Sequence, residues 1–145
     1  MKEITLYTDG ACSGNPGKGG WAAILIYGSN RKEISGGETL TTNNRMELCG
    51  AIFGLKALKE PCKINLFSDS AYVVNAFLKN WIVTWQTNGW KTSTNKVVQN
   101  LDLWKDLVAL ANYHKIVWHK VKGHADNELN NRCDFLAKKE IEKMN

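Results

Sequence analysis

Three strand-like segments come before the first helical one, and that order admits few architectures. Ile4, Leu6 and Thr8 alternate with Thr5, Tyr7 and Asp9, the two-residue period of a strand. Cys12-Ser13-Gly14-Asn15-Pro16-Gly17-Lys18-Gly19-Gly20 reads as a turn-rich connection. Trp21 to Tyr27 is an apolar run of strand length, Gly28-Ser29-Asn30 breaks it, and Arg31 to Thr39 forms a third strand of an antiparallel meander. Thr41-Thr42-Asn43-Asn44 then offers several helix caps, and Met46 to Lys59 reads as a helix closed by Pro61. Ile64 to Phe67 is a short buried strand, and Ser68-Asp69-Ser70 caps a helix running to about Lys79. Trp81 to Lys96 is irregular, with a short helix around Trp81 and Trp85. Leu101 to Asn112 has helical spacing, Ile116 to Val121 strand spacing, and a final helix starts near Asp126. The expectation is an α/β fold, a five-stranded mixed sheet flanked by helices, in one domain over residues 1–145.

Four carboxylates fall at informative places in this order. Asp9 ends the first strand; Asp-Gly is a common turn pair, yet the next strand does not resume for about ten residues, which argues against a tight hairpin there. Glu47 lies one turn into the first helix, where it completes a capping box if Asn44 is the cap. Its helical face also carries Gly50, Ala51 and Gly54, and a face of small residues lets a helix approach a sheet closely. Asp69 follows the apolar strand, either as an N-cap or at a strand end where α/β proteins build sites. Asp134 lies in the last helix, with Ala137, Lys138 and Ile141 on its face. Converging carboxylates repel unless cations neutralise them, and hard oxygen ligands favour Mg²⁺ or Mn²⁺ over zinc. Two such ions roughly 3.5–4 Å apart suit phosphoryl transfer.

A net charge of +5 and a pI near 9.0 fit an anionic partner without identifying one. Cys12, Cys49, Cys62 and Cys133 stand far apart with no C-x-x-C pair, which points to free thiols in a reduced compartment. The first residues lack a signal-peptide apolar segment and no run is long enough to span a bilayer, so the expectation is a cytoplasmic protein with no membrane partner.

The carboxylates sit in recognisable words. Thr8-Asp9-Gly10-Ala11-Cys12-Ser13-Gly14-Asn15-Pro16-Gly17, Thr41-Thr42-Asn43-Asn44-Arg45-Met46-Glu47-Leu48, Asp69-Ser70, and Val121-Lys122-Gly123-His124-Ala125 with Arg132-Cys133-Asp134 resemble bacterial type 1 ribonuclease H over essentially the whole chain. Gly89-Trp90-Lys91-Thr92 and Asp102-Leu103-Trp104 fit as well. The resemblance implies a ribonuclease H-like fold and a monomer. It implies hydrolysis of the RNA strand of an RNA–DNA hybrid with two Mg²⁺ ions, or Mn²⁺ as substitute, leaving 5′-phosphate and 3′-hydroxyl ends. It further implies that Asp9, Glu47, Asp69 and Asp134 are metal-binding catalytic carboxylates and that His124 is a catalytic histidine on a mobile loop. Cys12, Asn15, Thr42, Asn43 and Asn44 fall where that family meets the hybrid, and Trp81 resembles its aromatic contact to the DNA strand.

Between Asp69 and Asp102 there is no acidic residue, while Lys79, Lys91, Lys96, Trp81, Trp85 and Trp90 lie in that interval. Aromatic faces pack on bases and lysines meet phosphates; a hydrophobic minicore accounts for two of the three tryptophans. Val83, Gln86 and Thr87 stand where cationic residues are frequent, and Ala71 where a polar amide is common, which implies a modest hybrid affinity. A non-catalytic nucleic-acid-binding module on the same fold is the alternative; all four carboxylates are present, which argues for the enzyme. A Ca²⁺-binding protein would need loop-clustered ligands, and the sequence has none.

Overall fold

The computed structural model describes residues 1–122 and 127–144. Three long strands, β1 (Lys2–Gly14), β2 (Gly17–Tyr27) and β3 (Asn30–Thr41), form the antiparallel meander. They are followed by α1 (Asn43–Lys56), β4 (Cys62–Ser68), α2 (Ala71–Leu78), α3 (Trp81–Thr87), α4 (Leu101–Tyr113), β5 (Lys115–Lys120) and α5 (Glu128–Glu142). The sheet order is β3-β2-β1-β4-β5, with β1/β4 and β4/β5 parallel, so the expected five-stranded mixed sheet is present.

One expectation fails locally. Cys12 to Gly20 is not an open connection: β1 continues to Gly14 and β2 resumes at Gly17, leaving Asn15-Pro16 as a two-residue turn. Glycines do not break these strands because neighbouring helices need the space. A Cβ on Gly20 would collide with the carbonyl of Ala137 in α5, and one on Gly10 would collide with the backbone of Met46 and Glu47. Turn residues in sequence are here a record of close packing.

Strand alternation gives the sheet two faces. Ile4, Leu6, Ala23, Leu25, Ile64 and Leu66 face α1, α2 and α4, where Leu48, Ile52, Leu55, Val74, Trp104 and Leu107 complete the larger core. Each such fully buried aliphatic side chain contributes roughly 1.5–3 kcal/mol. Trp85 and Trp90 pack against this core through Trp104, with Trp85 and Trp104 edge to face at 5.3 Å; Trp81 stays 37% exposed. The opposite face carries α5, whose Cys133 and Ala137 pack on Ala22 and Ile24. Arg132 forks onto both oxygens of Glu33 at 3.0 Å, and Ser35 Oγ donates to Glu140 Oε1 at 2.8 Å, tying α5 across β3. Among the described residues no helix is long and apolar enough to cross a membrane, and all four cysteines are free thiols.

Candidate metal centre and nucleic-acid interface

Asp9, Glu47 and Asp69 each present an oxygen within 4.8 Å of the others. They reach one place by three routes. The pairing of β1 with β4 runs to Tyr7↔Phe67, after which β1 continues and β4 ends at Ser68, with Asp69 next in the chain. Asp9 stands on β1 just past that limit, and α1 delivers Glu47 from the other side of the strand. The helix comes close because Gly50 lies against the Asp9 backbone: a Cβ there would be 2.9 Å from the Asp9 carbonyl oxygen.

The capping alternatives for these residues do not hold. Thr42, not Asn44, caps α1, its Oγ1 accepting from Arg45 N at 3.3 Å. Ser70, not Asp69, caps α2, its Oγ accepting from Val73 N at 3.2 Å, while Ser68 Oγ accepts from Ser70 N at 3.0 Å. With the caps supplied by hydroxyls, Glu47 and Asp69 are left for one another and for Asp9.

Burial and mutual repulsion dominate the electrostatics. Asp9 is 5% exposed and its carboxyl is pushed up to about 7, first by burial and then by the charge of Asp69; the Gly10 N–H, donating to Oδ1 at 2.9 Å, works the other way. Glu47 is driven well above the ordinary carboxylate range by burial and by Asp9. Its Oε1 is buried with no hydrogen-bond partner. An orphaned carboxylate oxygen inside a carboxylate cluster is costly unless something cationic joins it. The donor set is all oxygen and anionic, which fits a hard divalent cation. Asp134 lies outside the three-residue cluster, but its charge acts on Asp9, and its Oδ2 accepts from Lys138 Nζ at 3.0 Å.

At the start of α1, Asn15, Thr42, Asn43 and Asn44 line an open cavity of about 520 Å³. Asn15 Oδ1 accepts from Asn43 N at 3.2 Å, which locks the β1–β2 turn onto the start of α1. Cys12 Sγ donates to Thr41 O at 3.4 Å, alongside. Gln99 and Asn100 line the same cavity from just before α4; their only mark in the sequence is an amide pair ahead of an apolar helical run. Trp81 is not among the residues lining that cavity and begins α3 apart from it. His124 lies outside the described residues. His114, set aside in the sequence, is buried: its Nδ1 accepts from Cys62 N at 3.0 Å.

A mixed sheet in this order, with an acidic cluster where its central strand runs past the end of β4, defines the ribonuclease H-like class of α/β folds. The family model described as RNase H matches residues 1–142. The chain is 64% identical over 143 residues to the ribonuclease H of Acetivibrio thermocellus, covering 99% of this chain and 97% of that protein. The crystal structure of LC9-RNase H1, a type 1 RNase H with the type 2 active-site motif, is similar at a TM-score of 0.88 and 28% identity, over 100% of this chain and 74% of that chain. LC11-RNase H1, solved in complex with an RNA/DNA hybrid, shares the fold at a TM-score of 0.76 and 22% identity, over 97% of this chain and 98% of that chain. This chain belongs to the ribonuclease H family.

Proposed function

We propose that the chain is an endonuclease that hydrolyses the RNA strand of RNA–DNA hybrids with two divalent ions, Mg²⁺ or in its place Mn²⁺, leaving 5′-phosphate and 3′-hydroxyl ends. The observation that carries this reading is the buried, unpartnered Glu47 oxygen within the Asp9–Glu47–Asp69 cluster of a ribonuclease H family member. A pure binding module would gain stability by replacing such a cluster, since each charge disfavours its neighbours.

Asp9, Glu47 and Asp69 would hold the ions, with Asp134 joining from α5. When bound, divalent ions activate a water and stabilise the leaving oxygen. In the reaction the water oxygen bonds to phosphorus, the P–O3′ bond breaks, and the released 3′-oxygen takes up a proton. His124 is the group we assign to moving that proton, since an imidazole titrates near neutral pH. Asn15, Thr42, Asn43 and Asn44, with Cys12 beside them, supply donors and acceptors to the hybrid backbone and the RNA 2′-hydroxyls. Trp81, exposed at the start of α3, offers a face to the DNA strand. The acting unit is one domain of one chain, since all four carboxylates come from it, and its four free thiols fit the cytoplasm.

A hybrid labelled on its RNA strand, incubated with Mg²⁺, Mn²⁺ or chelator, tests the reading. Cutting is expected with either ion and lost with chelator and in Asp9→Asn. Persistence of cutting in either case sinks the metal mechanism; equal cutting of double-stranded RNA sinks the substrate assignment.

A further inference from the structure

On the sheet face that α5 covers only in part, three rings stand in one row across three strands. Tyr7 and Phe67 stack with centroids 4.7 Å apart and planes at 10°; Phe67 and His119 stack at 4.5 Å and 12°. Register builds this row, since Tyr7 pairs with Phe67 across β1/β4 and Phe67 with His119 across β4/β5. Both ends are held. His119 Nε2 donates to Asn65 Oδ1 at 2.9 Å, and Tyr7 packs beneath α5, its carbonyl accepting from Cys133 Sγ at 3.4 Å.

The row is not the interior of a core: Val117, in the adjoining row, is 50% exposed. What the rings adjoin is the carboxylate cluster. Two residues beyond Tyr7, on the same face of β1 by strand alternation, comes Asp9, and two beyond Phe67, just past the end of β4, comes Asp69, with an oxygen within 4.8 Å of one of Asp9. Asp9 lies within β1 where it runs past β4, Asp69 directly follows the end of β4, and the charge of Asp69 acts directly on Asp9. The stacked rings are the last paired contact between β1 and β4 before that repulsion.

We propose that Tyr7, Phe67 and His119 are positioning residues that fix the separation of Asp9 and Asp69, and thereby how tightly the site holds a divalent cation. The inference rests on the metal-binding reading above. The rings act through the backbones of β1 and β4, and through Cys133 the same row reaches the helix that carries Asp134.

The test is Mn²⁺ binding to the metal-stripped full chain, followed by titration calorimetry without substrate. Phe67→Leu is expected to bind Mn²⁺ on the order of ten-fold more weakly, the low end for partners that orient metal ligands. His119→Ala loses affinity in the same direction, and Phe67→Tyr, which keeps the stack, matches the parent protein. Phe77→Leu is the control: it removes a comparable stack, on Trp118 at 4.1 Å, on the other sheet face. It is expected to lower the melting temperature and leave Mn²⁺ affinity unchanged. Unchanged affinity in Phe67→Leu overturns the proposal, as does an equal loss in Phe77→Leu. If Phe67→Leu fails to fold, unchanged affinity in His119→Ala overturns it. Equal Mn²⁺ binding by Asp9→Asn instead fails the metal reading itself, and the inference with it.

Discussion

Gly50 lies against Asp9 so closely that a single added carbon would sit 2.9 Å from the Asp9 carbonyl oxygen. The first helix therefore rests on bare backbone at the point where it delivers Glu47. Gly50→Ala is expected to push α1 away from β1 and to destabilise the fold by about 1–3 kcal/mol, the usual range for overpacking. Cleavage should fall further than in a core variant of equal stability, because Glu47 moves away from Asp9. Denaturant melts paired with single-turnover rates check this; a normal rate in a destabilised variant would contradict it.

Asp9 sets a pH dependence of known sign. Its carboxyl titrates near 7 in the folded chain against an ordinary 3.8. Between these values the folded state holds the proton and the unfolded state does not, so the Asp9 contribution to stability falls as pH rises through that window. Metal-free Asp9→Asn is thus expected to equal the parent protein near pH 4 and to exceed it in melting temperature at pH 8. Divalent cation should stabilise the parent most at the higher pH, where protons no longer compete. A metal-free parent more stable than Asp9→Asn at pH 8 would refute the argument.

His114 works in the opposite sense and at the far end of the sheet. Burial holds its pKa below the usual 6.5, and Nδ1 must stay unprotonated to accept from Cys62 N. The unfolded state takes up the proton first, so this stability is complete above 6.5 and is lost as pH falls. His114→Ala should lose about 1–3 kcal/mol at pH 8, the range for leaving a buried donor unsatisfied. The gap to the parent protein should narrow toward pH 5 in urea unfolding. A gap that widens on acidification would be the wrong sign.

The cavity proposed to meet the hybrid is lined by amides and one threonine, not by cations. Gln99→Ala and Asn44→Ala should raise KM for a hybrid with little change in kcat, the pattern for lost uniform binding. No lysine or arginine is among the residues lining that cavity, so the plot of log affinity against log salt should be shallow, since its slope counts neutralised phosphates. Steady-state cleavage kinetics check the first and filter binding across a salt series the second; a steep slope would show a cationic footprint that the sequence does not display.

What the sequence revealed followed from local periodicity. The alternation around Leu6, the helical face of Gly50, Ala51 and Gly54, and the strand before Asp69 were all legible, because each depends on neighbours a few residues away. What it hid was decided at long range. Gly19 and Gly20 looked like loop residues, but they form strand, since Thr41 and Met46 at one and Ala137 of α5 at the other leave no room for side chains. Asn44 and Asp69 were as good caps by type as Thr42 and Ser70; only the delivered geometry chose. The Tyr7–Phe67–His119 row was invisible because it exists only once the β1–β4–β5 register is set. The cavity of Gln99 and Asn100 was hidden for the same reason, as its other walls are the β1–β2 turn and the start of α1.

The glycine floor beneath α5 has a consequence for order in time. Gly20 and Ala137 meet although they lie far apart in the chain, and α5 follows every strand of the sheet it rests on. During synthesis Asp9, Glu47 and Asp69 are therefore available before Asp134 has been added. A ribosome-bound chain lacking α5 would expose Ala22 and Ile24 and carry three of the four carboxylates. Completion of the sheet's second apolar face, and with it the arrival of Asp134, is thus coupled to docking of a helix made after every strand it covers.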